Sequence, residues 1–277
     1  RNMNSIVKPV MRSGGSAAAV LALVLAAAPA AHAGAGAAAG TAGDTCPSTV
    51  ILAGRGSEQN HVTYPDGPLA RYSNGWEGEA VSNLFTFTLA EHPEILDDGT
   101  TQIIGITDEH YPARFPLPKS VADVTPAVLV ESAQLTADSV IRSFTGGQTQ
   151  VDDWEATTGC RPDYITVGYS QGELPMPGVQ RDLAAEGRLR GVLAFGNPLH
   201  HVPGARGFPG VPRDVPSLDY CVPDDVVCDT DVRSAFLALT DPEDEGAHAY
   251  YFEDAAAGSP SAGDRRVADT LADWISR

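Results

Sequence analysis

Positive charge is scarce in this chain. Eighteen lysines and arginines face 36 aspartates and glutamates over 277 residues, a formal net charge of −18. So acidic a surface repels phosphate backbones, which argues against nucleic acid as a partner. Cysteine is sparse as well: Cys46, Cys160, Cys221 and Cys228 are the only four. None of their gaps has the two-to-four-residue spacing from which zinc sites are built, so no metal is expected. Long apolar runs are missing after the first 28 residues, and no later segment approaches 18 consecutive apolar residues. A transmembrane segment is therefore not expected in the mature protein. Internal repeats are absent too, and low-complexity sequence is confined to 35–42 and 255–261.

The one early apolar run, Ala17 to Ala28, is short and alanine-rich. Lys8 and Arg12 precede it, and Pro29 and Ala31-His32-Ala33 follow it. A basic flank, a short apolar segment and a small-x-small boundary together make a secretory signal peptide over residues 1–33. Its removal takes away Arg1, Lys8 and Arg12 and no acid, moving the formal charge from −18 to −21. Residues 34–45 read as an Ala/Gly-rich tether, and 46–277 as one domain. In an oxidising compartment four cysteines suggest two disulfides. Three pairings are open; Cys221 with Cys228 is the local choice, leaving Cys46 with Cys160.

Strands and helices alternate along that domain. Short apolar strands are expected at 48–54, 101–107, 163–167, 190–195 and 217–221. Helices are expected at 79–91, at 120–144 (Val121, Val124, Val128, Leu135, Val140, Ile141 and Phe144 on one face) and at 265–275. Residues 145–159 read as a surface insertion. Strands alternating with helices predict a parallel sheet covered on both faces.

The strand ending at Val167 runs straight into Gly168-Tyr169-Ser170-Gln171-Gly172. Gly-x-Ser-x-Gly after a buried strand is the pattern of a nucleophile elbow: a serine at a tight strand-to-helix turn, with glycines preventing collisions around it. By chance the pentapeptide is expected about 0.2 times in a chain this glycine-rich, so its context has to carry the reading. A serine nucleophile needs a histidine base and a carboxylate to orient it, and around this elbow the chain order is serine, acid, histidine. His32, His61, His92 and His110 precede Ser170. His200 and His201 follow it closely, with only the acids of 173–199 between. His248 alone follows the acid-rich region after residue 210. Among Asp219, Asp224, Asp225 and Asp229, Asp225 is favoured because a small disulfide loop would fix its carboxylate; Asp224 is the nearest competitor.

These residues resemble the cutinases and cutinase-like serine esterases. The similarity spans most of 46–277. It lies in Cys46 through Arg55-Gly56-Ser57, Tyr111-Pro112-Ala113, the long helix, Cys160 before Gly168–Gly172, Cys-x3-Asp-x2-Cys over 221–228, and His248 with Tyr251. The resemblance implies a single-domain α/β-hydrolase-like three-layer sandwich about a central, mainly parallel sheet. It implies Ser170, Asp225 and His248 as the catalytic residues, Ser57 and Gln171 as the oxyanion hole, and the pairings Cys46–Cys160 and Cys221–Cys228. It also implies carboxylic ester hydrolysis on a lipid or polyester, with no cofactor, by a secreted, monomeric protein.

The chain departs from the family after the elbow. Glu173-Leu174-Pro175-Met176-Pro177 stands where alanine and an unbroken helix are usual. The prolines require the helix to start late or kink, and Glu173 is expected to bring negative charge toward a developing oxyanion. Residues 233–246 could form a flap, and 241–246 could be read as a calcium loop, though its spacing is not that of an EF-hand. Gly196-Asn197-Pro198 resembles the phage-type mycolyl esterases. A mycolyl-ester or acetylxylan hydrolase on the same residues, and a decayed hydrolase acting as an exported binding protein, are the alternatives.

Overall fold

A computed structural model describes residues 46–59, 69–96, 99–116, 124–202, 206–229 and 246–277. The signal peptide and tether, Val121, His61, the calcium-loop residues 241–245 and nearly all of the 233–246 flap lie outside the described residues.

Five parallel strands form one sheet: β1 (Thr49–Gly54), β2 (Thr101–Gly105), β3 (Asp163–Tyr169), β4 (Leu189–Phe195) and β5 (Ser217–Tyr220), in the order β2-β1-β3-β4-β5. β1 is buried at every position, as a parallel strand covered on both faces must be. Its alternation divides the core in two. Ile51 and Ala53 face one apolar cluster, built with α1 (Glu79–Glu91), the short α4 (Glu253–Ala256) and α5 (Ala262–Ile275). Val50 and Leu52 face the other, built with α2 (Pro126–Thr158) and α3 (Met176–Ala185). Helices on both faces of a parallel sheet make the three-layer α/β sandwich that the alternating elements predict. α5 follows from its sequence: Val267, Leu271 and Trp274 are buried, and Ser261 and Asp264 close a capping box at its start.

α2 corrects the sequence reading. It begins at Pro126, where the Thr125 hydroxyl accepts the N–H of Val128, and it continues through 145–158, which is helix and not an insertion. It stops at Gly159, in the left-handed conformation. Its buried positions are Ser139, Ser143, Gly146, Gly147, Gln150 and Val151, while Val124 just before it, and Val128, Ile141 and Phe144 along it, are exposed. The expected apolar face therefore does not face the core.

Two disulfides staple the sandwich. Cys46–Cys160 joins the approach to β1 with the approach to β3, and Cys221–Cys228 closes the loop after β5.

Candidate active site

The carboxyl ends of β1 and β3 are neighbours, with Gly54 in register with Gly168. Beyond them the chain turns into a short 3-10 segment, Ser170–Glu173. Two glycines let the two turns meet. A Cβ on Gly172 would stand 2.1 Å from the Gly54 carbonyl oxygen, and one on Gly54 would stand 2.1 Å from that of Gly172. Ser170 itself has φ 52°, left-handed backbone that a side-chain-bearing residue adopts only under constraint. This strained turn is what the glycine spacing predicts of an elbow.

The structure brings Ser170, His248 and Asp225 together. His248, in the segment Gly246–Tyr250, places Nε2 2.8 Å from Ser170 Oγ. Nδ1 of the same ring lies 2.9 Å from each carboxylate oxygen of Asp225. That arrangement selects the tautomer with the proton on Nδ1, leaving Nε2 to accept from the serine. Asp225 has no exposed surface. Its Oδ1 accepts the N–H groups of Val227 and Cys228 at 2.7 and 3.4 Å, and its Oδ2 accepts the Tyr251 hydroxyl at 2.7 Å. Burial alone would raise this carboxyl. The hydrogen bond and charge of His248, with Tyr251 and Val227, outweigh it and hold the group below the ordinary aspartate value. Burial, with Asp225 beside it, pushes the Tyr251 phenol upward, so it remains a donor.

The competing acids stand elsewhere. Asp219 pairs with His200 at 2.9 Å and accepts from Asn197, while the Asp224 N–H donates to Asp229. Cys221, Asp225 and Cys228 form a cluster tight enough to hold a cation. Its two sulfurs share a disulfide, however, and offer no thiolate to a metal.

Ser57 is half-buried in the turn after β1, and that turn is anchored from beneath. The fully buried Arg55 guanidinium donates to the carbonyls of Ile106 and Tyr111, pairs with Asp108, and lies over the rings of Trp76 and Tyr111. The Tyr111 hydroxyl donates to Gln171 Oε1 at 3.1 Å, so one connected set of side chains spans the Ser57 and Gln171 turns.

Sequence reasoning missed three residues here. Tyr169 lays its ring against His248 at 5.3 Å and donates its hydroxyl to the His248 carbonyl at 2.6 Å. Gly196, at φ 55°, makes room for the imidazole: a Cβ there would lie 2.7 Å from His248 Cε1. Tyr111 bridges the two turns. A glycine closing a strand was the available signal for Gly196; Tyr111 entered only as part of a resemblance with no role attached, and nothing local marks the role of Tyr169.

Glu173 overturns its expectation. Its side chain turns into the core, wholly buried, with Oε1 accepting from Gln180 Nε2 at 3.0 Å. Burial, augmented by nearby Asp219 and opposed by the Gln180 bond, raises its carboxyl well above the ordinary value. Burial of this kind favours the uncharged acid, so its surroundings oppose the negative charge expected beside Ser170.

The fold is a mixed α/β sandwich about a five-stranded parallel sheet. Among solved structures it is similar to a cutinase-like protein from Cryptococcus sp., at 20% identity and TM-score 0.38, over 78% of this chain and 98% of that one. It is also similar to Trichoderma reesei cutinase in complex with a phosphonate inhibitor, at 19% identity and TM-score 0.34, over 76% and 77%. No family model and no curated protein matches the sequence.

Proposed function

We propose that this protein is an exported serine esterase that hydrolyses carboxylic esters of lipid or polyester type through an acyl-enzyme. One observation carries the reading: Ser170 Oγ is 2.8 Å from His248 Nε2, and Nδ1 of that ring is 2.9 Å from Asp225. Ser170 attacks the ester carbonyl as its proton passes to His248 Nε2. The imidazolium so formed is stabilised by the Asp225 carboxylate, which stays ionised. His248 then gives the proton to the departing alcohol, leaving the acyl group on Ser170. Water, deprotonated by the same nitrogen, attacks the acyl carbonyl and restores the serine.

Ser57, through its hydroxyl and N–H, and the Gln171 N–H are the donors for the tetrahedral oxyanion. Gln171 lies in the first turn of a helical segment, where N–H groups lack intrahelical acceptors. Every step uses this chain's own side chains and water. Exposed Phe115 and Tyr250, beside the Gln171 and His248 segments, supply apolar surface for an acyl chain. Export rests on the leader at 1–33 and on two disulfides in 46–277, the catalytic domain. Among the described residues no helix is long and apolar enough to cross a membrane.

The test is hydrolysis of p-nitrophenyl esters from acetate to palmitate, with Ser170→Ala alongside. The variant is expected to lose about 10⁴-fold or more in kcat. The preferred chain length separates acetyl, polyester and long mycolyl-like substrates. Equal inactivity of two folded proteins at every length would overturn the esterase reading in favour of a binding protein.

A further inference from the structure

In an uninterrupted helix starting at Ser170, residue 175 would donate to the carbonyl of 171 and residue 177 to that of 173. Pro175 and Pro177 have no N–H to give. The turn closes instead with the tighter bond from Leu174 N–H to the Gln171 carbonyl, 3.0 Å, and α3 starts only at Met176. Two backbone rungs that would brace the nucleophile turn are thus missing.

A side-chain network occupies their place. Gln180, wholly buried on α3, donates from Nε2 to Glu173 Oε1 at 3.0 Å and to Thr166 Oγ1 on β3 at 3.1 Å. Gly168 leaves the space that this requires, since a Cβ there would stand 2.0 Å from Glu173 Oε2. One amide therefore joins the turn, the helix behind it and the strand before it. We propose that Glu173 is a positioning residue, which through Gln180 and Thr166 replaces the rungs lost at Pro175 and Pro177 and fixes Ser170 Oγ and the Gln171 N–H. This rests on the esterase reading of the same site.

The bridge works with an uncharged acid, because an ionised carboxylate here would be buried with a single amide bond. The charged groups on surrounding elements include Arg55 after β1 with Asp108 against it, Asp138 and Arg142 on α2, Asp163 on β3, Arg190 on β4, Arg181 and Asp182 on α3, and Asp219 on β5 with His200 against it. Asp219 is the one that acts on Glu173, and it opposes ionisation. Because the folded-state value is raised, the contribution of Glu173 to stability is complete below the ordinary carboxylate value and is lost as pH rises through the folded one.

The variants are Glu173→Gln, which keeps shape and acceptor without an ionisable proton, and Glu173→Leu, which keeps volume alone. On a p-nitrophenyl ester, Glu173→Gln is expected to keep kcat within about threefold. Glu173→Leu is expected to lower it roughly 10- to 100-fold with KM unchanged. Wild type should show an alkaline loss of kcat that Glu173→Gln lacks. Melting in a Ser170→Ala background supplies a readout independent of turnover. Wild-type Glu173 and Glu173→Gln should match near about pH 5, and the glutamine form should be the more stable near about pH 9. An inert wild type with this melting pattern defeats the esterase reading but leaves the bridge standing. Wild-type kcat in Glu173→Leu, or a melting difference that does not change with pH, overturns the bridge.

Discussion

Gly196→Ala is the smallest change that reaches the proposed base without touching it. Two effects follow from the geometry. An alanine at φ 55° carries a left-handed penalty of about 1–2 kcal/mol, which lowers stability. The added carbon would also stand 2.7 Å from His248 Cε1, 3.0 Å from Nδ1 and 3.3 Å from Asp225 Oδ2. Ordinary contact needs the ring to retreat by about 0.7 Å, and the Tyr169 ring stacked against it resists any tilt that would hold both of its hydrogen bonds. A displacement of that order in a reacting group costs about 10²-fold. The expected result is a loss of about 10²-fold in kcat on a p-nitrophenyl ester, with KM little changed and melting lowered by several degrees, about 2–4 °C per kcal/mol for a domain of this size. Fluorophosphonate labelling of Ser170 should slow in parallel, because it needs the same base. A variant that melts lower yet turns over and labels at the wild-type rate would refute the argument, since the imidazole would then have room that this packing denies it.

The two disulfides should separate stability from turnover. Replacing Cys46 and Cys160 by serine opens a loop of sequence separation 114 and is expected to cost about 4–5 kcal/mol with kcat retained wherever the protein is folded. Replacing Cys221 and Cys228 opens a separation of only 7 and should cost about 2–3 kcal/mol, yet lower kcat because the loop holds Asp225. Urea melts beside ester kinetics compare the two. Tyr251→Phe removes a donor from Asp225 and strips the Val222 N–H of its acceptor, at about 1–3 kcal/mol. The Asp225 carboxyl should then rise. Its stabilisation, present above the unfolded value and lost as pH falls through the folded one, should disappear at a higher pH, seen as acid unfolding that begins earlier than in wild type.

The strands could be read because a parallel sheet leaves its mark locally: each is a short apolar run closed by glycine or a polar turn, and β1 and β3 run from such a start into Gly54 and Gly168. The grouping of Ser170, Asp225 and His248 could be read because chain order eliminates most histidines, and the structure brings those three side chains together. What surrounds them was not readable. The role of Tyr169 depends on His248 arriving from 79 residues away, and that of Gly196 on the ring having nowhere else to stand. Glu173 shows the harder case. A charge sign was assigned to it from residue type alone, but ionisation depends on depth, and depth is set by Gly168 and Gln180, one before it and one after it in the chain.

α2 was misread for a related reason. Apolar periodicity signals a helix that buries side chains, and the second half of α2 buries backbone instead. Ser139, Ser143, Gly146, Gly147, Gln150 and Val151 recur at helical spacing, yet hydropathy barely registers them. A Cβ on Gly146 would stand 2.6 Å from the His110 carbonyl oxygen, and one on Gly147 would stand 2.4 Å from that of Pro175. Two mid-helix glycines weaken α2 by about 1 kcal/mol each relative to alanine, and close packing must offset that. Their position explains why it does. Gly147 lies against Pro175, where the chain behind Ser170 breaks out of its 3-10 turn and before α3 begins, so the surface that α2 presents at this point seats the break itself. The observed termini have local chemical causes, with Thr125 and Pro126 at the start and a left-handed Gly159 at the end. Caps report where a helix must stop whatever it packs against; apolar periodicity reports only one way of packing.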